Sequence, residues 1–205
     1  MKRYIKTAAG LGACLTILSL TFLPASLTAR PSLTAQTQEA QATLSPQNKQ
    51  LVTTFEGRVK EYVKLREGLE NTLPKLSTDS TPEQIEAHKR AFEEIVRTAR
   101  PAAKQGDIFT PAAANYIRKI IKDTFTGKDR LELRKTVLEA ETQGVPLRVN
   151  YSYPETKELV EMPPTLLLRL PQLPKQVKYR FVSRNLLLVD RENGLIVDYM
   201  LNALP

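Results

Sequence analysis

The chain has almost no thiol or imidazole chemistry. Its 205 residues include one cysteine, Cys14, and one histidine, His88. An intrachain disulfide needs two cysteines, and structural zinc sites use four cysteine or histidine ligands. The composition therefore excludes a disulfide-stapled domain and a cysteine- or histidine-rich metal site, and we expect neither a metal nor a cofactor.

The sequence also lacks the short motifs of several enzyme classes. Tryptophan is absent, and neither phosphate-binding loop, G-x-x-x-x-G-K or G-x-G-x-x-G, occurs. The serine-hydrolase motif G-x-S-x-G and the zinc motif H-E-x-x-H are missing too. His88 lies among charged residues of a predicted helix, which favours a solvent-facing or half-buried position over a catalytic role. We therefore assign no catalytic residue.

The clearest positive feature is an uncharged run from Thr7 to Ala29. Lys2, Arg3 and Lys6 precede it, and residues 11–23 are its most apolar part. A basic start, an apolar stretch and small residues before the cut are typical of an export signal. We expect residues 1–29 to be removed as a signal peptide, leaving a periplasmic or secreted protein.

Two alternatives for this N-terminus are weighed against cleavage. The uncharged run is long enough to cross about 30 Å of hydrocarbon, so an uncleaved membrane anchor is one alternative. The sequence around Cys14 looks like a lipobox, but the strongest apolar stretch follows the cysteine, which favours an incidental residue. Residues 30–44 are polar and unpatterned and are predicted to form a flexible leader.

The net charge permits an anionic partner without requiring one. It is +8 for the whole chain, and removal of residues 1–29 lowers it to about +5. This balance mainly favours solubility, but it suits an anionic polymer or an acidic envelope protein. Export argues against a nucleic-acid partner, and membrane contact is expected only through an uncleaved N-terminal segment.

Two amphipathic helices are predicted to pack as an antiparallel hairpin. The first follows the cap Ser45 and ends at Pro74, with apolar residues at steps of three and four. Arg66 lies on its charged back. The second follows the capping box Thr81–Gln84 and extends to about residue 104.

Two further helices are expected before the sequence changes character. The third follows the cap Thr110 and covers residues 112–125. The fourth is strongly charged and covers residues 128–142, with Leu131 and Leu138 as inner contacts and Val137 as a further candidate. The helical part therefore spans residues 45–144.

Beyond Pro146 the sequence alternates with the period of β-strands. The predicted strands are residues 177–181, 185–189 and 195–199. A turn at Asn193–Gly194 joins the last two, and residues 147–151 are a candidate fourth strand. Three strands alone are barely stable, so the helices must cover one face. We predict an α+β fold, with a three- to four-stranded antiparallel meander in residues 145–205 and one domain over residues 45–205.

Several segments of the chain form a recognisable set. They are Gly106–Pro111 (GDIFTP), Met162–Leu167 (MPPTLL), Tyr179–Phe181 (YRF), Leu187–Asp190 (LLVD) and Leu195–Tyr199 (LIVDY). Together they resemble a set of uncharacterised exported bacterial proteins, which implies an envelope or secreted location and no known activity. The meander alone is similar to the small β module of periplasmic nickel/cobalt homeostasis proteins. The metal-related function of those proteins does not follow here, because one histidine and no mature cysteine leave only carboxylates as ligands.

One stretch carries positive charge without any acid. Between Met162 and Val189 the basic residues are Arg169, Lys175, Lys178, Arg180 and Arg184. They are candidate ligands of an anion such as a lipid headgroup, a cell-wall polymer or an acidic protein. The alternative, which we favour, is an ordinary solvated strand with lysines that protect a sheet edge. Tyr179 and Phe181 alternate with these charges and are expected in the core.

The remaining candidates for catalysis are acidic side chains. Glu93, Glu94, Asp190, Glu192 and Asp198 are the only candidates for general acid–base work, and glycoside hydrolysis needs two carboxylates roughly 5–10 Å apart. Surface acids are usually solvated, which is our prediction for these. The chain is therefore expected to be a non-enzymatic binding or structural protein of the envelope. The first alternative is a hydrolase of an envelope polymer that uses acidic residues, and the second is weak metal or stress buffering through carboxylates.

Overall fold

The computed structural model describes residues 44–125, 146–154 and 160–204, together with Leu131, Lys135 and Lys157. The predicted signal peptide, nearly all of the leader and nearly all of the fourth helix lie outside these residues. The prediction that Leu131 is an inner contact is wrong, since its exposed fraction is 66%.

Three long helices follow one another along the chain. They are α1 (Pro46–Glu70), α2 (Pro82–Ala99) and α3 (Pro111–Thr124). The hydroxyls of Ser45, Thr81 and Thr110 accept hydrogen bonds from backbone N–H groups three residues on, and a proline follows each cap. Gln84 completes the predicted capping box by accepting from the Thr81 N–H at 2.8 Å. The predicted starts of these helices are confirmed.

Two of the helices end earlier than predicted. The first stops at Glu70, where the N–H of Asn71 bonds back to carbonyls of the last turn, and does not continue to Pro74. The second stops at Ala99 because Pro101 disfavours helical backbone at the residue before it. That residue, Arg100, has φ −126° and ψ 55°.

The second half of the described chain supplies the sheet. A four-residue helix α4 (Pro164–Leu167) precedes β1 (Val177–Val182), β2 (Asn185–Asp190) and β3 (Ile196–Met200). The strands pair antiparallel in the order β1-β2-β3, with Tyr179 opposite Leu188 and Leu187 opposite Tyr199. The predicted meander and the α+β fold are confirmed.

Residues 147–151 form no strand, so the sheet has three strands in the described part of the chain. Asn150 has φ +64° and sits in a turn, which breaks the extended path that the alternation predicted. The segment still lies along β3, because Asn150 donates to the carbonyl of Ile196 at 2.8 Å and Tyr151 accepts from its N–H at 2.9 Å. Within residues 146–154, only Ser152 forms a β-bridge, and its partner is Leu195.

The helices cover one face of the sheet and share a hydrophobic core with it. Its fully buried large side chains include Phe55, Phe92, Ile117, Leu166, Phe181, Leu186 and Leu195. Tyr179 and Phe181 lie in this core as predicted. The opposite face carries a smaller cluster of Tyr153, Val182, Leu187, Val189 and Ile196. Within the described residues, no helix has the length and hydropathy needed to span a bilayer.

Candidate functional site

A buried ion-pair network joins α1 to the turn after β2. Arg66, predicted on the charged back of its helix, has an exposed fraction of only 4%. Its Nε donates to Oδ2 of Asp190 at 2.8 Å, and its Nη2 contacts Glu192 and lies 3.8 Å from Oε2 of Glu70. The hydroxyl of Tyr62 donates to the same Asp190 oxygen at 3.1 Å. The core on the helix-covered face of the sheet therefore contains a buried arginine and a buried aspartate that neutralise each other.

The same aspartate also shapes its own turn. Oδ1 of Asp190 accepts from the backbone N–H groups of Glu192 and Asn193 at 3.2 and 3.0 Å. Burial and the Asp190 charge raise the pKa of Tyr62, so this phenol stays a donor. Burial works against the charged form of Arg66, but Asp190 and Glu192 outweigh it and raise the pKa of the guanidinium. The prediction that Asp190 is solvated is wrong, because its partners come from a helix more than a hundred residues away.

A cleft of about 430 Å³ beside this network contains two carboxylates. Glu70 and Glu192 both line it, and both contact Nη2 of Arg66. His88 lines it too, with Nε2 2.8 Å from Oε1 of Glu70 and Nδ1 3.2 Å from the carbonyl oxygen of Pro74. Sequence reasoning identified Glu192 but not Glu70 as a candidate acid. The guanidinium lies between the two carboxylates, where a substrate or an attacking water would have to stand.

A second buried aspartate ties the sheet to the loop before α3. Asp198 is fully buried and accepts backbone hydrogen bonds from Gly106, Ile108, Phe109 and Tyr199 at 2.7–2.8 Å. Burial raises its carboxyl pKa, and the four donors act in the opposite direction. The prediction of a solvated acid is wrong here as well. The GDIFTP and LIVDY segments are thus two sides of one structural contact.

Of the two remaining predicted acids, Glu93 has partners and Glu94 is solvent-exposed. Oε2 of Glu93 accepts from the backbone N–H of Ser152 at 2.9 Å, and Oε1 lies 3.6 Å from Nη1 of Arg97. Glu94 is exposed. In the described part of the chain, no three acidic or histidine side chains are grouped to hold a metal ion.

Three of the five predicted anion ligands meet at one groove of about 370 Å³. This basic groove runs beside the start of β1 and is lined by Lys175, Lys178, Arg180 and a fourth cation, Arg191. Leu167, Pro171, Leu173 and Pro174 also line it. The groove therefore combines positive charge with apolar side chains.

The sequence analysis did not select Arg191, because this residue follows the acid-free stretch from Met162 to Val189. Its N–H donates to the carbonyl of Gln176 at 2.7 Å, which continues the β1–β2 ladder by one pair. In that register Arg191 and Lys178 are diagonal neighbours, which brings their side chains to the same face. Nε of Arg191 also donates to the Lys175 carbonyl at 2.8 Å and steadies the groove wall.

The cations of the basic groove act mainly on one another. Burial, together with the charges of Arg180 and Arg191, lowers the pKa of Lys178. Of these four cations, only Arg180 has an ion pair with a described residue. Its partner is Oε1 of Glu161 at 3.1 Å, and that glutamate side chain is 86% exposed. Like charges held together in a partly desolvated groove stabilise an incoming anion.

The groove also opens onto the backbone edge of β1. Further along this edge, Phe181 exchanges two backbone hydrogen bonds with Val160, so its N–H and carbonyl point away from β2. Tyr179 lies two residues earlier, so its N–H points the same way, and the residue lines the groove. A neutral donor therefore stands among the four cations.

Arg169 and Arg184 lie apart from the groove. Nη1 of Arg169 donates to Oγ1 of Thr124 at 2.8 Å. Arg184 is half-buried, and its Nε and Nη2 donate to the Leu204 carbonyl at 3.2 and 3.1 Å. Arg184 thereby fastens the end of the chain to the sheet.

Comparison with known proteins gives no further guide. No family model matches the chain, and no curated protein or solved structure is significantly similar to it.

Proposed function

We propose that this chain is an exported, non-enzymatic protein that binds an anionic partner of the cell envelope in its basic groove. The observation that carries the proposal is the grouping of Lys175, Lys178, Arg180 and Arg191 around one cavity. A protective sheet edge needs only scattered charges, which water and salt screen. Four cations that share a groove raise each other's electrostatic energy, and an anion relieves it.

Export is the part of the proposal that rests on the N-terminal sequence. A basic start before an uncharged run of this length is what the secretion machinery accepts. The test is fractionation of the producing cell with mass measurement of the purified protein. A processed chain outside the cytoplasm supports the proposal, and an intact chain in the cytoplasm contradicts it.

Anion binding is tested with a soluble probe, inorganic polyphosphate, followed by fluorescence anisotropy. The test variant is Lys175→Glu with Lys178→Glu, because neither side chain hydrogen-bonds to another described residue. The matched control is Lys60→Glu with Lys64→Glu, an equal change of net charge on the exposed side of α1. We expect about a tenfold or larger loss of affinity for the groove variant and about twofold for the control. An equal loss in both would show that net charge alone attracts the probe.

The cleft beside the buried network supports a second candidate function. Glu70 and Glu192 face one cavity, as a hydrolase of an envelope polymer would require. Glu70→Gln and Glu192→Gln would then each abolish turnover of a peptidoglycan or polysaccharide substrate. Because Arg66 occupies the space between the carboxylates, we expect no turnover by the unaltered protein, and measurable turnover would favour the hydrolase.

A further inference from the structure

We propose that the anionic partner is the surface of a bilayer that contains acidic phospholipids. In this picture a headgroup phosphate occupies the basic groove and Leu167 dips into the interfacial region. The inference rests on the proposed anion-binding function and adds the source of the anion. It departs from the expectation that only an uncleaved N-terminus would meet a membrane.

The first observation is the exposed leucine on the rim of the groove. Leu167 belongs to the short helix α4, lines the groove and has an exposed fraction of 45%. Most large apolar side chains of the described residues are buried. Leu167 is an exception, and its position beside the cations is what suggests a ligand. An apolar tip next to positive charge is the arrangement that binds the headgroup region of a membrane.

The second observation is the mixed lining of the groove. It combines the ammonium and guanidinium groups of Lys175, Lys178, Arg180 and Arg191 with leucine and proline side chains. A soluble polyanion would use only the cations. A phospholipid is charged at one end and apolar at the other, so it matches both kinds of lining residue.

The third observation concerns acids that would repel an anionic surface. Among the described residues that line the groove there is no aspartate or glutamate. Glu161 is ion-paired with Arg180, which lines the groove. Juxtamembrane cations attract an acidic leaflet by about 1 kcal/mol each, so four grouped cations suffice for reversible binding.

The test is flotation with vesicles of phosphatidylcholine alone and with vesicles that also contain phosphatidylglycerol. The variant is Leu167→Ser, and its matched control is Leu76→Ser, since Leu76 is 43% exposed and lies away from the groove. All proteins are compared in the same form, either full-length or processed, so that any contribution of the N-terminal run is common to them. The polyphosphate assay is run on the same samples.

We expect binding only to the vesicles with phosphatidylglycerol, and loss of binding on raising the salt concentration. Leu167→Ser should weaken vesicle binding roughly fivefold or more, because a half-exposed leucine loses its apolar contact. Its affinity for polyphosphate should fall less than its affinity for vesicles, because the cations remain, and Leu76→Ser should behave like the unaltered protein.

Each other outcome has a distinct meaning. Binding of polyphosphate without binding of acidic vesicles overturns the lipid inference but leaves the anion-binding function, and favours an anionic polymer or an acidic protein. Failure to bind either probe overturns both. Equal binding to neutral vesicles contradicts the requirement for acidic phospholipid. Equal effects of the two leucine variants contradict the placement of Leu167 in the membrane surface.

Discussion

Arg66 and Lys178 show how differently this molecule treats its positive charges. Arg66 is buried and is matched by Asp190, Glu192 and Glu70, all within ion-pair distance. Lys178 is half-buried and faces two further cations, with no described acid in an ion pair with it. The first arrangement satisfies its own charge and joins elements of the fold. The second leaves charge unsatisfied, which costs stability and is useful only if a ligand supplies the opposite sign.

Removal of Arg66 should give the largest effect on stability. Arg66→Ala leaves the fully buried carboxylate of Asp190 without its cation, which we expect to cost about 3–5 kcal/mol in the free energy of unfolding. Urea denaturation followed by circular dichroism measures this. The control is Lys64→Ala on the exposed side of the same helix, with an expected change within about 0.5 kcal/mol. Similar losses for the two variants would refute the structural role of the network.

Asp198 is a buried carboxyl whose hydrogen bonds come from backbone N–H groups instead of from a cation. Substitution of Asp198 tests how much these bonds stabilise the fold. Asp198→Asn keeps the shape but replaces one acceptor oxygen, and we expect a loss of about 1–3 kcal/mol. The folded pKa of Asp198 lies above its usual value of about 3.9, so the stabilising contribution of its protonated form is fully present below that value. This contribution is lost as the pH rises through the folded pKa.

The stability advantage of the unaltered protein over Asp198→Asn should therefore shrink as the pH rises from acidic values through the raised folded pKa. Urea unfolding at several pH values measures it. Asp123→Asn, at an exposed position of α3, is the control, and its difference from the unaltered protein should not vary in this way. A growing advantage with rising pH would show that the four backbone donors outweigh burial.

Tyr153 and Tyr179 differ in whether the hydroxyl has a hydrogen-bond partner. The hydroxyl of Tyr153 is buried without a hydrogen-bond partner in the described structure, whereas that of Tyr179 donates to the carbonyl of Pro171 at 3.1 Å. Tyr153→Phe should raise the free energy of unfolding by up to about 1 kcal/mol, and Tyr179→Phe should lower it by about 1 kcal/mol. Thermal and urea unfolding measure both. Changes of the same sign would contradict the assignment.

Lys178 should give the smallest change in stability and a clear change in binding. Lys178→Gln removes repulsion from Arg180 and Arg191, so we expect a gain within about 0.5 kcal/mol that disappears in high salt. Its polyphosphate affinity should fall. Lys64→Gln is the control for both measurements. A loss of stability would show that Lys178 belongs to the fold and is not held for a ligand.

The helices and strands could be predicted because their signals are local. The cap hydroxyls of Ser45, Thr81 and Thr110 lie three residues from the N–H groups they bind. Apolar alternation marked β1 and β3, and a short apolar run marked β2. The strand predicted at residues 147–151 does not form, because Asn150 adopts a left-handed backbone conformation that apolar alternation does not reveal. Such a conformation depends on the hydrogen bonds that the segment makes with β3.

The two sites could be predicted only in part. The acid-free stretch from Met162 to Val189 led to three of the groove's four cations, because neighbours on one strand face stay neighbours in the fold. Arg191 could be added only once the β1–β2 register was known. Glu70 and Arg66 had no local signal, since charged residues on a helix back are usually solvated.

The sequence by itself determined the caps, the strands and the supply of positive charge near β1, because these depend on residues a few positions apart. The tertiary structure alone decided that Arg66, Asp190 and Asp198 are buried, since a charge enters the core only where distant partners satisfy it. It also decided which cations share a groove. Folding brought together partners that lie about ninety to more than a hundred and twenty residues apart along the chain.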